Sequence, residues 1–473
     1  MRKLANNEHT YTHTHTPHFS RYMVVEPVPQ ARFRALVDAV CKDRYAPEDL
    51  RRYGPLEDWD VSEVTDMSEA FHDRRNFNRD LSRWNTARVT TMRGMFHGAA
   101  SFNAPIGAWD TSHVKDMSHL FHGAEAFNQP LGDWNTGAVT QMCATFRCAR
   151  VFDQPLETWD VSRVVNMKYM FWDACSFNQP LERWDVARVK DMREMFFATR
   201  LFHQPLGKWD VSRVRNMEGM FFGALAFNHP LGGWDVSRVT DMSGMFKSAR
   251  TFNQELEDWD TSRVTNMSGM FQGARAFNQP LARWNTARVT SMSYMFAHTH
   301  VFNQPVGGWD TRQVTTMSCM FHDAWAFNQE LREWDTSRVT DMHFMFAHTV
   351  AFNQPVGGWN VSRVTDMSSM FHGALAFNQP LGRWNVEQVT WMYSMFAHTA
   401  AFNQPLERWD VGRAQMLMRM FFGARAFRQS LVRWRMHAGV YTTEFAHGAR
   451  WPPRLRKEEE EEEEEEEGTT RAG

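Results

Sequence analysis

The chain has 473 residues and is 43% apolar, and its five Cys are too few and too irregularly spaced for a disulfide framework or a zinc motif. The net charge of −3 depends on a run of ten Glu; residues 1–457 carry 51 Lys and Arg against 45 Asp and Glu, a weak excess for a nucleic-acid-binding protein. No stretch approaches the ~18 apolar residues of a membrane span. The N-terminus also lacks the apolar run of a secretory signal.

The first 55 residues divide into a tail and a cap. Residues 1–30 are polar, and their alternating His and Thr predict a disordered tail, because no second set of ligands accompanies the histidines. In residues 31–55, apolar side chains from Phe33 to Val40 follow helical spacing, and Pro47 begins a second short helix. We expect these helices to form an N-terminal cap on a repeat array.

A Trp recurs every 25 residues from Trp59 to Trp434, which gives sixteen Trp positions and about fifteen complete units over residues 56–430. A fixed period of this length is typical of a solenoid. The Trp-Asp-Val step predicts a short strand, and the spacing of Met-x-x-Met-Phe-x-x-Ala predicts a short helix. The fold class is therefore an α/β repeat solenoid with one short strand and one short helix per 25-residue coil.

The unit Leu-x-x-Trp-Asp-Val-Ser-x-Val-Thr-x-Met-x-x-Met-Phe-x-x-Ala-x-x-Phe-Asn resembles the BspA-type leucine-rich-repeat surface proteins, in their variant with a 25-residue Trp-Asp repeat. The resemblance implies a curved, leucine-rich-repeat-like solenoid that serves binding or adhesion rather than catalysis. Members often carry secretion and wall-anchoring signals, and we identify neither in this sequence.

Two recurrent residues have predicted structural roles. The Trp should be buried between successive coils, and the Asn that follows the Phe should form an internal ladder that satisfies backbone groups at a turn. Members of these two columns include Trp159, Trp184, Trp209, Trp234, Trp259, Asn228, Asn253 and Asn278.

Two features are candidates for binding. One is a column of Arg four residues after Trp, which accompanies a column of Asp one residue after Trp. The two columns together form either a lattice in which the opposite charges compensate each other or a charged surface that recognises a protein or glycan. The other is a strip of aromatic residues thirteen after Trp, which either binds a partner or only covers neighbouring turns. The Arg candidates are Arg163, Arg188, Arg213, Arg238 and Arg263, and the strip is Trp172, Phe197 and Phe222.

Catalysis and metal binding are not predicted. Each Asp of its column has the same surroundings, whereas a catalytic pair needs two carboxylates in distinct environments. His298, His348 and His398 lie two coils apart, ~10 Å between backbones, too far for neighbours in this row to share a metal. No cofactor is expected.

The array loses its consensus after Trp409, so residues 431–450 are predicted to form a degenerate C-terminal cap and residues 451–473 an acidic disordered tail. We predict a monomeric, non-enzymatic repeat protein that binds a protein or glycan, with nucleic acid disfavoured. The alternatives are an intracellular interaction scaffold and, third, a hydrolase that uses the Asp column. The missing signals slightly favour the cytoplasm over the cell surface.

Overall fold

The computed structural model describes residues 25–436 and 439–449. Two α-helices come first, α1 (Gln30–Cys41) and α2 (Pro47–Tyr53), and a short 3-10 helix follows at Leu56–Asp58. The chain then forms successive 25-residue coils that are joined by isolated parallel bridges, from Asp66–Thr91 to Met416–Tyr441. The predicted repeat solenoid is therefore confirmed.

Helix α1 packs on the first coil. The ring of Phe33 meets the indoles of Trp59 and Trp84 edge to face, with centroids 6.5 and 5.8 Å apart. The segment before α1 takes part as well, because the N–H of the buried Val28 donates to the carbonyl of Asp60 at 2.8 Å. The structure therefore places residues 25–30 with the helices, although the sequence assigned them to the tail.

The side chain of Gln30 completes the backbone bonds of the first coil. Its Oε1 accepts the N–H groups of Thr65 and Asp66 at 2.8 and 2.9 Å, and its Nε2 donates to the carbonyl of Asp66 at 2.9 Å. Later coils receive such bonds from the backbone of the coil before them. One amide side chain thus stands in for a peptide group that the first coil would otherwise lack.

In the Met-x-x-Met-Phe stretch of each coil, every second N–H group bonds to the next coil. In the coil of Trp259, the N–H groups of alternate residues from Met267 to Gly273 donate to carbonyls of the next coil, at N···O distances of 2.7 to 3.2 Å. The intervening N–H groups close β-turns, as Met270 N–H does on the carbonyl of Met267. Gly269, the third residue of that turn, has φ +61°, as a type II turn requires.

The predicted strand and helix of each coil are not observed. Within the described coils, the chain has turns and single bridge residues in place of an extended strand or an α-helix. A helix needs N–H groups directed at carbonyls four residues back, whereas here they alternate between carbonyls of the next coil and carbonyls three residues back. Consecutive turns place buried side chains three or four residues apart, which is the spacing that the sequence analysis interpreted as helical.

The core is a column of buried Trp, Met and Phe side chains. Where neighbouring indoles stack, their centroids are 6.2 to 6.4 Å apart and their planes lie within 8°. Trp259 Nε1 donates to the carbonyl of Leu231, in the preceding coil, at 3.0 Å, and the other repeat indoles from Trp84 onward do the same. Each Trp therefore contributes apolar area and also satisfies a buried carbonyl.

The recurrent Asn forms a second ladder. Asn228 Oδ1 accepts the N–H of Asn253, and Asn253 Oδ1 accepts the N–H of Asn278, both at 2.9 Å. The same Oδ1 of Asn253 also accepts Nε2 of Gln279 at 3.1 Å. Asp153 occupies this position in one coil and accepts the N–H of Asn178 at 2.9 Å, so the ladder depends on the carbonyl-type oxygen.

The described part of residues 431–450 continues the coil pattern. Phe445 meets Phe421 and Trp434 edge to face, with centroids 5.4 and 6.4 Å apart, and so covers the last indole. The remaining parts of the two predicted tails, 1–24 and 451–473, lie outside the described residues.

Candidate ligand-binding groove

The aromatic strip is a stacked column on the surface of three consecutive coils. The rings of Trp172 and Phe197 are parallel, with centroids 4.9 Å apart, and Phe222 meets Phe197 edge to face at 4.4 Å. All three side chains are half-buried. The rings therefore pack on neighbouring turns and remain partly accessible to a ligand.

A cation closes the strip at each end. The guanidinium of Arg147 lies 4.4 Å from the ring centroid of Trp172, and Nζ of Lys247 lies 5.2 Å from that of Phe222. The same position, thirteen residues after Trp, supplies both cations. Cation–π contacts of this kind hold the flanking side chains against the rings.

A groove of about 290 Å³ runs beside the strip. Its floor is formed by three glycines at the same position of consecutive coils: Gly219, Gly244 and Gly269. One wall contains Phe197, Phe222, Lys247 and Gln272; the other contains Glu218, Ser243 and Ser268; Glu194 and Tyr294 stand at the two ends.

The backbone alone does not require glycine on this floor. The position has positive φ in all three coils, from 57° to 61°. In other coils, however, Tyr169 and Phe344 occupy it with φ of 61° and 54°. At Gly244 an added Cβ would meet only Lys247 Cβ at 3.9 Å and Gly219 Cα at 4.0 Å, which are ordinary contacts. The consecutive glycines therefore keep the groove open.

Carboxylates dominate the electrostatics of the groove. Glu194 Oε2 accepts Nε1 of Trp172 at 2.9 Å, which fixes the indole, and Arg193 Nε lies 3.3 Å from Glu218 Oε2. Burial, and then the charge of Asp241, raises the pKa of Glu218 above its ordinary value. The charged form of Glu218 is thus poorly stabilised by the protein, and a ligand cation would favour it.

The predicted Arg column lies elsewhere on the surface and is exposed. Arg188 and Arg213 line a depression of about 320 Å³, and Arg238 and Arg263 line another of about 470 Å³. Neither shares a lining residue with the groove in the described chain. Arg163 is exposed as well, so the two sets of predicted binding residues form separate surfaces.

The Asp and Arg columns do not form the predicted lattice. Among the described coils, the ion pair on the Asp column joins Asp310 to Arg312, which is not a member of the Arg column. Asp260 Oδ1 instead accepts the N–H of Ser262 at 3.0 Å. The Ser262 hydroxyl and this N–H lower the pKa of Asp260 more than Arg263 does. A short carboxylate reaches its own turn more easily than an exposed Arg.

A larger depression, about 790 Å³, lies on the turns that precede Trp359 to Trp434. It is lined by Pro and Gly together with exposed Arg383, Arg408 and Arg433. None of the lining residues is aromatic. Because aromatic side chains supply much of the energy of protein recognition, the glycine-floored groove is the stronger candidate site.

One wall of this groove could be predicted from the sequence, but its floor was not. The available signal was the recurrence of Gly ten residues after Trp in three successive coils, in a column that holds larger side chains in every other coil except that of Gly94. Glu218 and Lys247 were also missed, because single substitutions within a column carry no periodic signal.

Within the described ranges, no helix combines the length and the apolar character needed to cross a bilayer. Solved structures with some similarity include the TLR13–ssRNA13 complex, with 8% identity over 83% of this chain and 64% of that chain and a TM-score of 0.22. The mouse RP105/MD-1 complex has 8% identity over 72% of this chain and 65% of that chain, with a TM-score of 0.20. The plant peptide hormone receptor RGFR1 in complex with RGF2 has 6% identity over 79% of this chain and 78% of that chain, with a TM-score of 0.18. The chain spans less than two thirds of the length of the first two, and TM-scores this low do not establish a shared fold.

Comparison with curated proteins gives no match. One family matches repeatedly along the array, in overlapping segments: residues 48–149, 104–204, 127–234, 179–281, 223–333, 253–357 and 320–434. Together these segments cover most of the chain. The protein therefore belongs to the DUF285 family, which is described as Mycoplasma protein of unknown function.

Proposed function

We propose that this chain is a non-enzymatic binding protein whose groove over Gly219, Gly244 and Gly269 holds an extended polypeptide segment. The segment would place an apolar or aromatic side chain next to a basic one. The observation that carries the proposal is the open glycine floor between an aromatic wall and a wall that contains a carboxylate.

The dimensions of the groove favour a side chain over a whole small molecule. Its volume of about 290 Å³ lies at the lower limit of small-molecule pockets, which hold ~300 to 1,000 Å³. A glycine floor lets another backbone approach closely. The half-buried rings of Phe197 and Phe222 are already fixed by their neighbours, so little conformational entropy is lost when a ligand packs on them.

The charges of the groove favour a basic residue in the ligand. Glu194 and Glu218 line it, and Lys247 lies against the ring of Phe222. Burial disfavours the charged form of Glu218 and so raises the pKa of this carboxyl. A Lys or Arg of the ligand beside Glu218 would offset that cost, because a nearby cation stabilises the carboxylate. An acidic segment would add to the repulsion.

The contacts of the groove and of the Asp column also bear on the alternative functions that the sequence suggested. A glycan could stack on the aromatic wall, and it is kept as an outcome of the test below. A hydrolase on the Asp column is disfavoured, because turn N–H groups bond to carboxylates such as those of Asp160 and Asp260 and lower their pKa, whereas a general acid needs a raised pKa. A monomer that acts as a surface adhesin, as the BspA resemblance implies, and an intracellular scaffold would use the groove in the same way.

The test is selection of a phage-displayed random peptide library on the full chain, with a glycan array in parallel. Selected peptides should combine Lys or Arg with an aromatic or branched aliphatic residue. They should lose binding to Gly244→Tyr, in which a ring fills the groove, and to the triple Ala variant of Trp172, Phe197 and Phe222.

Gly94→Tyr is the matched control, because Gly94 occupies the same position of another coil with φ +59°. Its binding should equal that of the parent chain. Peptides that bind Gly244→Tyr as well as they bind the parent would refute the groove as the site. Glycan binding that Gly244→Tyr abolishes, without any peptide binding, would replace the peptide with a glycan.

A further inference from the structure

Five histidines form a continuous row that the sequence spacing conceals. His298, His348 and His398 occur in alternate coils, and His322 and His372 of the intervening coils lie between them. Successive ring centroids along the row are 5.1, 5.9, 4.9 and 5.5 Å apart. The ~10 Å between the backbones of His298 and His348 argued against a shared metal. The intervening coils, however, place His322 and His372 between these histidines, one position earlier in the repeat, so adjacent members of the row are about half as far apart.

One carboxylate enters this row. Asp323 Oδ2 lies 2.9 Å from Nδ1 of His298 and 3.5 Å from Nε2 of His322. One ligand atom from each of the three residues can be chosen so that all lie within 4.8 Å of one another. Tetrahedral zinc with ~2.1 Å bonds holds its ligand atoms about 3.4 Å apart, so small side-chain rotations would bring the three onto one ion.

The backbone that carries these ligands is fixed. The N–H of His298 donates to the carbonyl of His322 at 2.7 Å, and that of Asp323 donates to Ala347 at 2.9 Å. The side chains stay reachable from solvent, with exposed fractions of 43%, 23% and 27% for His298, His322 and Asp323. Ligands on rigid turns at an accessible surface are suited to bind an ion with little reorganisation.

We infer that His298, His322 and Asp323 form a site for a divalent transition-metal ion of the zinc class. Two imidazoles and one carboxylate are a donor set that zinc uses when it keeps an open position for water. The site is independent of the glycine-floored groove, with which it shares no residue.

The repeat supplies a matched control. The next pair of coils holds His348 and His372 in the positions of His298 and His322, but Gly373 in the position of Asp323. Gly373 has φ +64° and Asp323 has φ +56°, so Asp is tolerated in this backbone conformation. A Cβ at Gly373 would come 2.6 Å from His348 Nδ1, so the imidazole would have to turn, and an added carboxylate would lie beside it.

The experiment is titration of the full chain with Co²⁺, followed by visible absorption, and with Zn²⁺, followed by calorimetry. His9, His13, His15 and His18 are replaced by Gln throughout, so that these N-terminal histidines bind no metal. This background should bind about one ion per chain, with the intense d–d absorption of tetrahedral Co²⁺. His298→Gln/His322→Gln and Asp323→Asn should each lose that ion, and Gly373→Asp should gain a second.

Three results would overturn the inference. The first is that the double variant His348→Gln/His372→Gln loses as much metal binding as the double variant His298→Gln/His322→Gln. The second is retained binding in Asp323→Asn. The third is loss only with His343→Gln, which would assign the ion to the neighbouring group of Asp341, His343 and Asp366. Circular dichroism of each variant, compared with the background, separates loss of the site from loss of the fold.

Discussion

The indole ladder makes the most direct prediction about stability. Trp259 is 3% exposed, stacks on Trp284 with centroids 6.4 Å apart, and donates to the carbonyl of Leu231 at 3.0 Å. Replacing it with Ala removes the buried ring and leaves that carbonyl unsatisfied. Large-to-small changes of this kind cost about 3 to 5 kcal/mol, and a buried carbonyl without its donor costs about 1 to 3 kcal/mol.

Trp259→Phe separates the two contributions. It keeps an aromatic ring in the column but removes the donor, so we expect a loss of about 1 to 3 kcal/mol, against about 4 kcal/mol or more for Trp259→Ala. Because a repeat unit is stabilised only by its neighbours, the effect should be local. Amide hydrogen exchange should rise in the coils on either side of residue 259 and change little near the ends of the array.

The assay is hydrogen exchange followed by mass spectrometry, together with urea denaturation. Trp391→Ala is the control, because that indole is 42% exposed and its loss should change stability by less than about 0.5 kcal/mol. Equal exchange in Trp259→Ala and Trp391→Ala would refute the argument that the buried indoles hold adjacent coils together.

Two further predictions concern the polar columns. Asn253→Ala should destabilise the array by about 1 to 3 kcal/mol, because the N–H of Asn278 loses its acceptor. Asn253→Asp should destabilise it less, since Asp153 makes the same bond in its own coil. Equal urea midpoints for the two variants would contradict this prediction. For the Asp column, the folded-state pKa of Asp160 and Asp260 is lowered by hydrogen bonds from Ser hydroxyl and backbone N–H groups. Their contribution is therefore present above the ordinary pKa of 3.8 and is lost as the pH falls through the lowered value. Changing both to Asn, which keeps an acceptor, should flatten the acid limb of a melting-temperature profile, and an unchanged limb would refute the role of these carboxylates.

Much of the architecture could be predicted because the period is so regular. The unbroken spacing of Trp indicated stacked coils, and the column of Asn indicated a ladder, since a buried polar side chain that recurs needs a recurrent partner. The type of local structure could not be predicted in the same way. A spacing of three or four residues arises from α-helices and from consecutive turns alike, and only the positive φ at positions such as Gly269 distinguishes them.

The charged columns show a different limit. Asp and Arg three residues apart suggested mutual neutralisation, but an Asp at the start of a turn has a nearer partner in the N–H two residues ahead. Local hydrogen bonds therefore took precedence over the longer-range ion pair. Side-chain reach, which the sequence does not state, decides this competition.

Both proposed sites arise where a column departs from its usual residue without a change of backbone. Gly219, Gly244 and Gly269 remove side chains from a position where other coils hold Tyr or Phe, and this opens a groove. Asp323 adds a carboxylate where another coil of the histidine row has Gly373, and this completes a ligand set. Because the coil-to-coil bonds use backbone groups, such substitutions leave the stacking intact. Function in this array should therefore be sought in the exceptions to each column, since the residues that recur are those that the stacking itself requires.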